Sequence, residues 1–174
     1  MKDVMIDCET LATTADAVIL SIGAVKFDLE TGQIDDAGFY ASIDIDDSLA
    51  HGRRVSQSTL CWWMTQDKKA QEVFNEPKQG LEEALCSFVE WLGHDRRRPW
   101  SNGADFDIPM LAHAFTHFRM DVPWQFWNAR CVRTYKTLPA ASFVPAFKND
   151  HNALRDAANQ AKYVQAVYAR MVQK

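Results

Sequence analysis

"VMIDCETLATT" (residues 4–14) runs from an apolar triplet, Val4-Met5-Ile6, straight onto two carboxylates, Asp7 and Glu9. The apolar run reads as a short buried strand over residues 3–8. On a strand, residues two apart point to the same side, so both acids can reach one cation. Two solvated acids at a strand end carry the same spelling, and D-x-E arises by chance in a chain with this many acids.

Outward from that stretch, residues 17–28 ("AVILSIGAVKFD") read as a second strand, and the turn residues of "DLETGQ" follow. A third strand is expected over about 36–45, with Phe39, Ala41, Ile43 and Ile45 on one face. Short links between the three suggest an antiparallel meander. "QSTLCWWMTQDKKAQEVF" (57–74) then has helical spacing, and "LEEALCSFVEWLG" (81–93) is an amphipathic helix with Gly93 as its C-cap. "RPWSNG" reads as a strand end and loop. Residues 106–118 read as a helix with Pro109 in its first turn. "ARCVRTYKTL" offers a short strand and a helix, and 153–172 a long helix with Ala157, Ala161, Val164, Tyr168 and Met171 inward. The order predicts an α/β fold, a mixed sheet with helices on its faces, as one domain over 1–174.

Composition is that of an ordinary globular protein, 47% hydrophobic and 24% charged. "AVILSIGAV" (17–25) is too short to span a bilayer, so no membrane partner is expected. The N-terminus lacks an apolar h-region, and a cytoplasmic location is expected. Cys8, Cys61, Cys86 and Cys131 form no CxxC pair, which leaves a zinc or redox motif without support. A net charge of −4 argues against a nonspecific basic coat for nucleic acid. It does not argue against a nuclease, because bound cations reverse the field of an acidic site.

Two further acidic stretches stand out. "SNGADFDIPML" (101–111) places Asp105 and Asp107 around Phe106. Asp107 falls where a helix should start, as an N-cap or as a further metal ligand. "DHNALRDAANQAKYV" (150–164) sets His151 on a loop and Asp156 five residues on, beside the buried stripe of the last helix. An acid there needs a partner, since an unpaired buried charge is costly. A salt bridge with Lys162 and a solvated His151 are the structural alternatives.

Taken in order, D-x-E, N-x3-F-D and H-x4-D resemble the three motifs of the DEDD superfamily of 3′→5′ exonucleases. The histidine points to its DEDDh branch, relatives of proofreading exonucleases and RNase T on an RNase H-like fold. The matches bracket residues 7–156 of 174. "NGADFD", "TLCWWMTQ" and "RCVRTYKTL" look like the bacterial and phage group described as exonuclease VIII-like or 3′→5′ exoribonuclease-like.

The resemblance implies a five-stranded sheet, an antiparallel meander of three strands plus parallel strands. It implies hydrolysis at the 3′ end of single-stranded DNA or RNA, releasing 5′-mononucleotides. Asp7, Glu9, Asp107 and Asp156 would hold two divalent cations, Mg²⁺ or alternatively Mn²⁺, roughly 3.5–4 Å apart. His151 would accept the proton of the attacking water. Asp105 would be a neighbour or substitute of Asp107. Thr10, Leu11, Asn102 and His151 would contact the terminal nucleotide, and a homodimer is implied because several relatives are dimers. Trp62, Trp63, Trp100, Trp124 and Trp127 offer rings for base stacking but read mostly as core. Arg130, Arg133 and Lys136 form a basic face for phosphate, a partner or water, and Arg96–Arg98 a solvated loop. The competing readings are an idle nucleic-acid-binding module on the same fold and an RNase H-like endonuclease.

Overall fold

Alternation along β1 (Asp3–Thr10) sets the architecture. Val4, Ile6 and Cys8 enter one hydrophobic core and Met5 enters another, on opposite sides of the sheet. The computed structural model describes residues 1–95 and 97–173. β2 (Ile19–Phe27) runs antiparallel to β1, and β3 (Phe39–Ser42) antiparallel to β2. β4 (Arg98–Ser101) and β5 (Arg130–Cys131) continue the sheet beyond β1 in parallel pairing. The strand order is β3-β2-β1-β4-β5, a mixed five-stranded sheet flanked by helices, as expected.

The core between one face and its helices holds Leu81, Leu85 and Phe88 of α3 (Leu81–Leu92) and Leu111 and Phe115 of α4 (Asp107–His117). Ala157, Ala161, Val164 and Val167 of α6 (Ala153–Val172) pack on Met5, Val25, Phe27 and Trp100 of the other face. Met171, expected inward, is exposed. A third cluster joins Trp63 of α2 (Gln57–Met64) to Leu11, Val18 and Leu20. Each fully buried large side chain contributes about 1.5–3 kcal/mol. Together they can hold a group of acids that repel one another. Among the described residues, no helix is long and apolar enough to cross a membrane.

Three expectations are corrected. The third strand stops at Ser42 because Asp44 caps α1 (Ile45–Ala50), accepting a 2.8 Å hydrogen bond from the Asp47 N–H. Asp46 and Asp47 in its first turn suit the positive helix end. Residues 57–74 are not one helix. α2 ends at Met64, and Asp67 accepts from the Ala70 N–H at 2.9 Å to start a 3₁₀ turn over Ala70–Phe74. Nor is the arginine run a solvated loop. Arg98 belongs to β4 and donates two bonds, 2.7 and 2.6 Å, to the buried carboxylate of Asp3, which also accepts from Trp100 Nε1 at 2.8 Å. Arg97 is buried too, and Arg96 lies outside the described residues.

One glycine brings α6 to the sheet. Gly23 of β2 is the register partner of Asp7. A Cβ at Gly23 would stand 2.1 Å from the backbone carbon of Ala153 and the nitrogen of Leu154. Only a residue without a side chain lets the first turn of α6 lie so close to β2, and so near Asp7.

Candidate active site

Asp7 and Glu9 occupy the C-terminal half of β1 and are both buried. Their side belongs to α6, whose Gln160 donates a 2.7 Å hydrogen bond from Nε2 to Asp7 Oδ1. Asp107 is the first residue of α4 and not its cap; Phe106 precedes the helix there. The Asp107 carboxylate reaches across to β1 and accepts from the Cys8 N–H at 3.0 Å. That bond ties the start of α4 to the strand between the two acids.

Asp156 lies in the first turn of α6 and is almost fully buried. It has no salt bridge to Lys162 among the described residues. Its two oxygens instead accept the backbone N–H groups of Asp150 and His151, at 2.9 and 3.0 Å. His151 adopts φ +54°, a left-handed conformation that is costly for a residue with a side chain. The Asp156 carboxylate, the Asn152 cap of α6 and the ion pairs of Asp150 with Lys69 and Arg155 hold this loop in place. The result sets His151 Nδ1 3.9 Å from Glu9 Oε2. Ligand atoms of Glu9, His151 and Asp156 all lie within 4.8 Å of one another, close enough to hold one metal ion.

Electrostatics describe the same cluster. Burial pushes the Asp7 carboxyl well above its ordinary range, and the charges of Asp107, Glu9 and Asp156 push it further. Burial, then Asp156 and Asp107, raise Glu9 to about 8. Burial raises Asp107 to about 7 against the opposing Cys8 bond, and burial also raises Asp156. The four acids thus stand near one another, short of positive charge. Hard oxygen donors in such a group fit Mg²⁺, Mn²⁺ or Ca²⁺.

A stability test follows. Each folded carboxyl sits above its unfolded value, so the unfolded chain releases its protons at lower pH. These carboxyls therefore favour the metal-free fold most when protonated, and their contribution falls as pH rises through the interval ending near 7 for Asp107 and 8 for Glu9. In EDTA the melting temperature is expected to fall between about pH 5 and pH 8, and Mg²⁺ or Mn²⁺ should remove most of that fall. A melting temperature flat over that interval without metal would contradict the assigned electrostatics.

Beside the acids lies an apolar pocket of about 360 Å³ lined by Cys8, Glu9, Thr10, Thr13, Ser58, Thr59, Trp62, Trp63 and Phe106. Thr10 therefore borders the site. Leu11 does not: its side chain is in the third core cluster, and its N–H and C=O bond to Val18 and Ser56. Asn102 lines the polar pocket of the acids. Asp105 points away, its side chain 86% exposed. Trp63 is core as expected and braces the site, donating from Nε1 to the Thr10 carbonyl at 2.8 Å. Trp62 is 43% exposed and stands nearly perpendicular to the His151 ring, with centroids 5.0 Å apart. Trp100 and Trp124 are core, and Trp127 is exposed.

Sequence reading passed over Gln160 and the Ser58-Thr59 wall, and Trp62, expected mostly as core, is instead half-exposed beside His151. Gln160 left one signal: it is four residues after Asp156, on the same helix face.

Comparison with known proteins adds the family. Residues 2–168 match the family model described as "3'-5' exoribonuclease Rv2179c-like domain". The chain is 23% identical over 161 residues to the exodeoxyribonuclease of Enterobacteria phage T4, covering 77% of this chain and 70% of that protein. Its fold matches the crystal structure of cell-death related nuclease 4 with a TM-score of 0.50 at 10% identity, covering 94% of this chain. The chain spans 62% of that structure's length. The match of the family model over nearly the whole sequence, on the sheet and helices that gather these acids, means that the chain belongs to the 3′–5′ exoribonuclease Rv2179c-like domain family, within the 3′–5′ exonucleases.

Proposed function

We propose that the chain is a metal-dependent exonuclease of the DEDDh kind, removing 5′-mononucleotides from the 3′ end of single-stranded nucleic acid. The observation that carries this reading is the convergence of Asp7, Glu9, Asp107 and Asp156 in one buried group, with His151 at its edge. Asp7, Glu9, Asp107 and Asp156 would hold two divalent cations, Mg²⁺ or Mn²⁺. Bound there, the cations supply an acidic water and neutralise charge on the leaving 3′ oxygen. The chain's own residues do the rest. Cys8 N–H and Gln160 orient Asp107 and Asp7. His151, held by Asp156 at its backbone, presents an imidazole nitrogen near Glu9 and takes the proton of the attacking water.

The apolar pocket next to the acids suits the terminal base. Thr10 and Asn102 border the two halves of the site. Trp62 offers a partly exposed ring, and base–aromatic stacking is worth about 1–3 kcal/mol. Trp62→Ala is expected to raise KM for a single strand about tenfold, with the melting temperature unchanged. An unchanged KM would remove Trp62 from the binding surface.

An idle binding module gains nothing from keeping four repelling acids buried, so the catalytic reading is favoured. The family is described by an exoribonuclease and the phage relative is an exodeoxyribonuclease. The test therefore offers both sugars. Purified protein receives 5′-labelled single-stranded RNA and DNA of one sequence with Mg²⁺, Mn²⁺ or EDTA. A ladder shortening from the 3′ end only with metal is expected, and the faster ladder names the sugar. Intact strands in every lane, from folded protein, would overturn the proposal. So would cutting of a circular single strand, which has no end. Four free cysteines suit the reducing cytoplasm in which we place this activity.

A further inference from the structure

The polar pocket of the acids has one permanent cation among its described lining residues. Asp7, Glu9, Asn102, Asp107, Asn149 and His151 line it, and Arg133 stands with them. Arg133 is the second residue of α5 (Val132–Lys136). The fully buried Val132 beside it pins the helix to the core, so Arg133 is fixed at its backbone and free at its tip.

Three features leave that tip available. Its acidic neighbour, Asp105 Oδ1, is 4.0 Å away on an 86% exposed side chain. A solvent-exposed pair like this is worth about 0–1 kcal/mol. The Arg133 side chain is itself 62% exposed. Gly103, at φ +129°, supplies the floor: a Cβ there would stand 3.0 Å from the guanidinium carbon, so a bare backbone is what lets the group lie over the "NGADFD" loop. Its two companions on the expected basic face already have partners. Arg130 donates to the Trp127 and Ala129 carbonyls at 3.3 and 3.0 Å. Lys136 donates to Asn102 Oδ1 at 3.2 Å and lies over the Phe147 ring.

A polyanionic strand entering a pocket lined by Asp7, Glu9 and Asp107 meets like charge, and Arg133 is the permanent cation beside them. A planar guanidinium is matched to two phosphate oxygens at once. We propose that Arg133 binds a phosphate of the substrate strand at the mouth of the acid pocket. This rests on the exonuclease reading above and adds to it a substrate contact outside the acid and histidine motifs.

The test compares wild type, Arg133→Ala and Arg133→Lys at fixed Mg²⁺. Two substrates are used: a single-stranded oligonucleotide, and the p-nitrophenyl ester of thymidine 5′-monophosphate, which carries one phosphate. A hydrogen bond to a charged group implies that Arg133→Ala raises KM on the oligonucleotide about 10- to 100-fold, with kcat changed less. The salt dependence of binding should weaken by about one phosphate contact. Arg133→Lys should recover part of the loss, since a point charge lacks the fork. Loss on both substrates assigns the scissile phosphate, and loss on the oligonucleotide alone an upstream one; either supports the proposal.

Wild-type KM and salt slope for Arg133→Ala, while wild type shortens strands, would overturn the phosphate contact and leave the exonuclease reading standing. A wild-type protein that leaves strands whole would overturn both. Should Arg133→Ala lower the melting temperature, Arg133→Lys carries the test alone. A raised KM on the oligonucleotide then supports the contact, and a wild-type KM overturns it.

Discussion

Asp107→Asn is expected to slow metal-dependent shortening of a 3′ end by about a thousandfold and to leave the protein folded, with Asp7→Asn behaving alike. The magnitude follows from what a bound cation supplies, several kcal/mol of charge stabilisation at the reacting phosphate. The choice of asparagine matters. Asp107 accepts the Cys8 N–H at 3.0 Å, and alanine would leave that buried donor unpaired at a cost of about 1–3 kcal/mol. Asparagine keeps an acceptor and removes the charge. Asp7→Asn likewise keeps an oxygen for Gln160 Nε2. Each substitution also relieves repulsion among buried acids. The melting temperature in EDTA near pH 8 should therefore stay level or rise while the single-turnover rate collapses. Loss of both together would mean that the acids act through the fold, and a wild-type rate would remove them from the chemistry.

The chain announced its acids more clearly than their supports. Asp7 and Glu9 were legible because strand parity puts residues two apart on one side, and β1 does so. His151 and Asp156 were legible as a loop residue and a helix residue, and α6 begins at Ala153, after its Asn152 cap. That Asp156 works by accepting two backbone N–H groups was not legible, because the loop that donates them has no periodicity. Arg98 read as loop because a triple arginine suggests solvent. Its partner, Asp3, is on a neighbouring strand far away in sequence, and the pairing exists only once β1 and β4 lie side by side. The helical spacing of 57–74 was real, yet Asp67 offered its carboxylate to the backbone and broke the run. Leu11 shows the limit of reading site residues by adjacency. It follows Thr10 in sequence, but its side chain turns into the core.

Gly23→Ala is expected to be nearly as damaging as loss of an acid, although Gly23 carries no chemistry. Its added Cβ would fall 2.1 Å from main-chain atoms of Ala153 and Leu154, where no side chain can swing aside. Either β2 or the first turn of α6 must move by more than an ångström. That turn carries Asp156, and the next carries Gln160, which grips Asp7. Misplacement on this scale costs about a hundredfold in rate. The melting temperature should drop as well, because Ala157, Ala161, Val164 and Val167 of α6 belong to the core on that face of the sheet. Gly38→Ala is the control: its Cβ would meet the tip of Leu154, at 2.5 Å, a side chain that can rotate away. Measured side by side, Gly38→Ala should stay within a few-fold of the wild-type kcat/KM, and Gly23→Ala should not. Near-wild-type rate and melting temperature for Gly23→Ala would mean that α6 is not held at the sheet by that contact. The placement of Asp156 and Gln160 beside β1 would then need another cause.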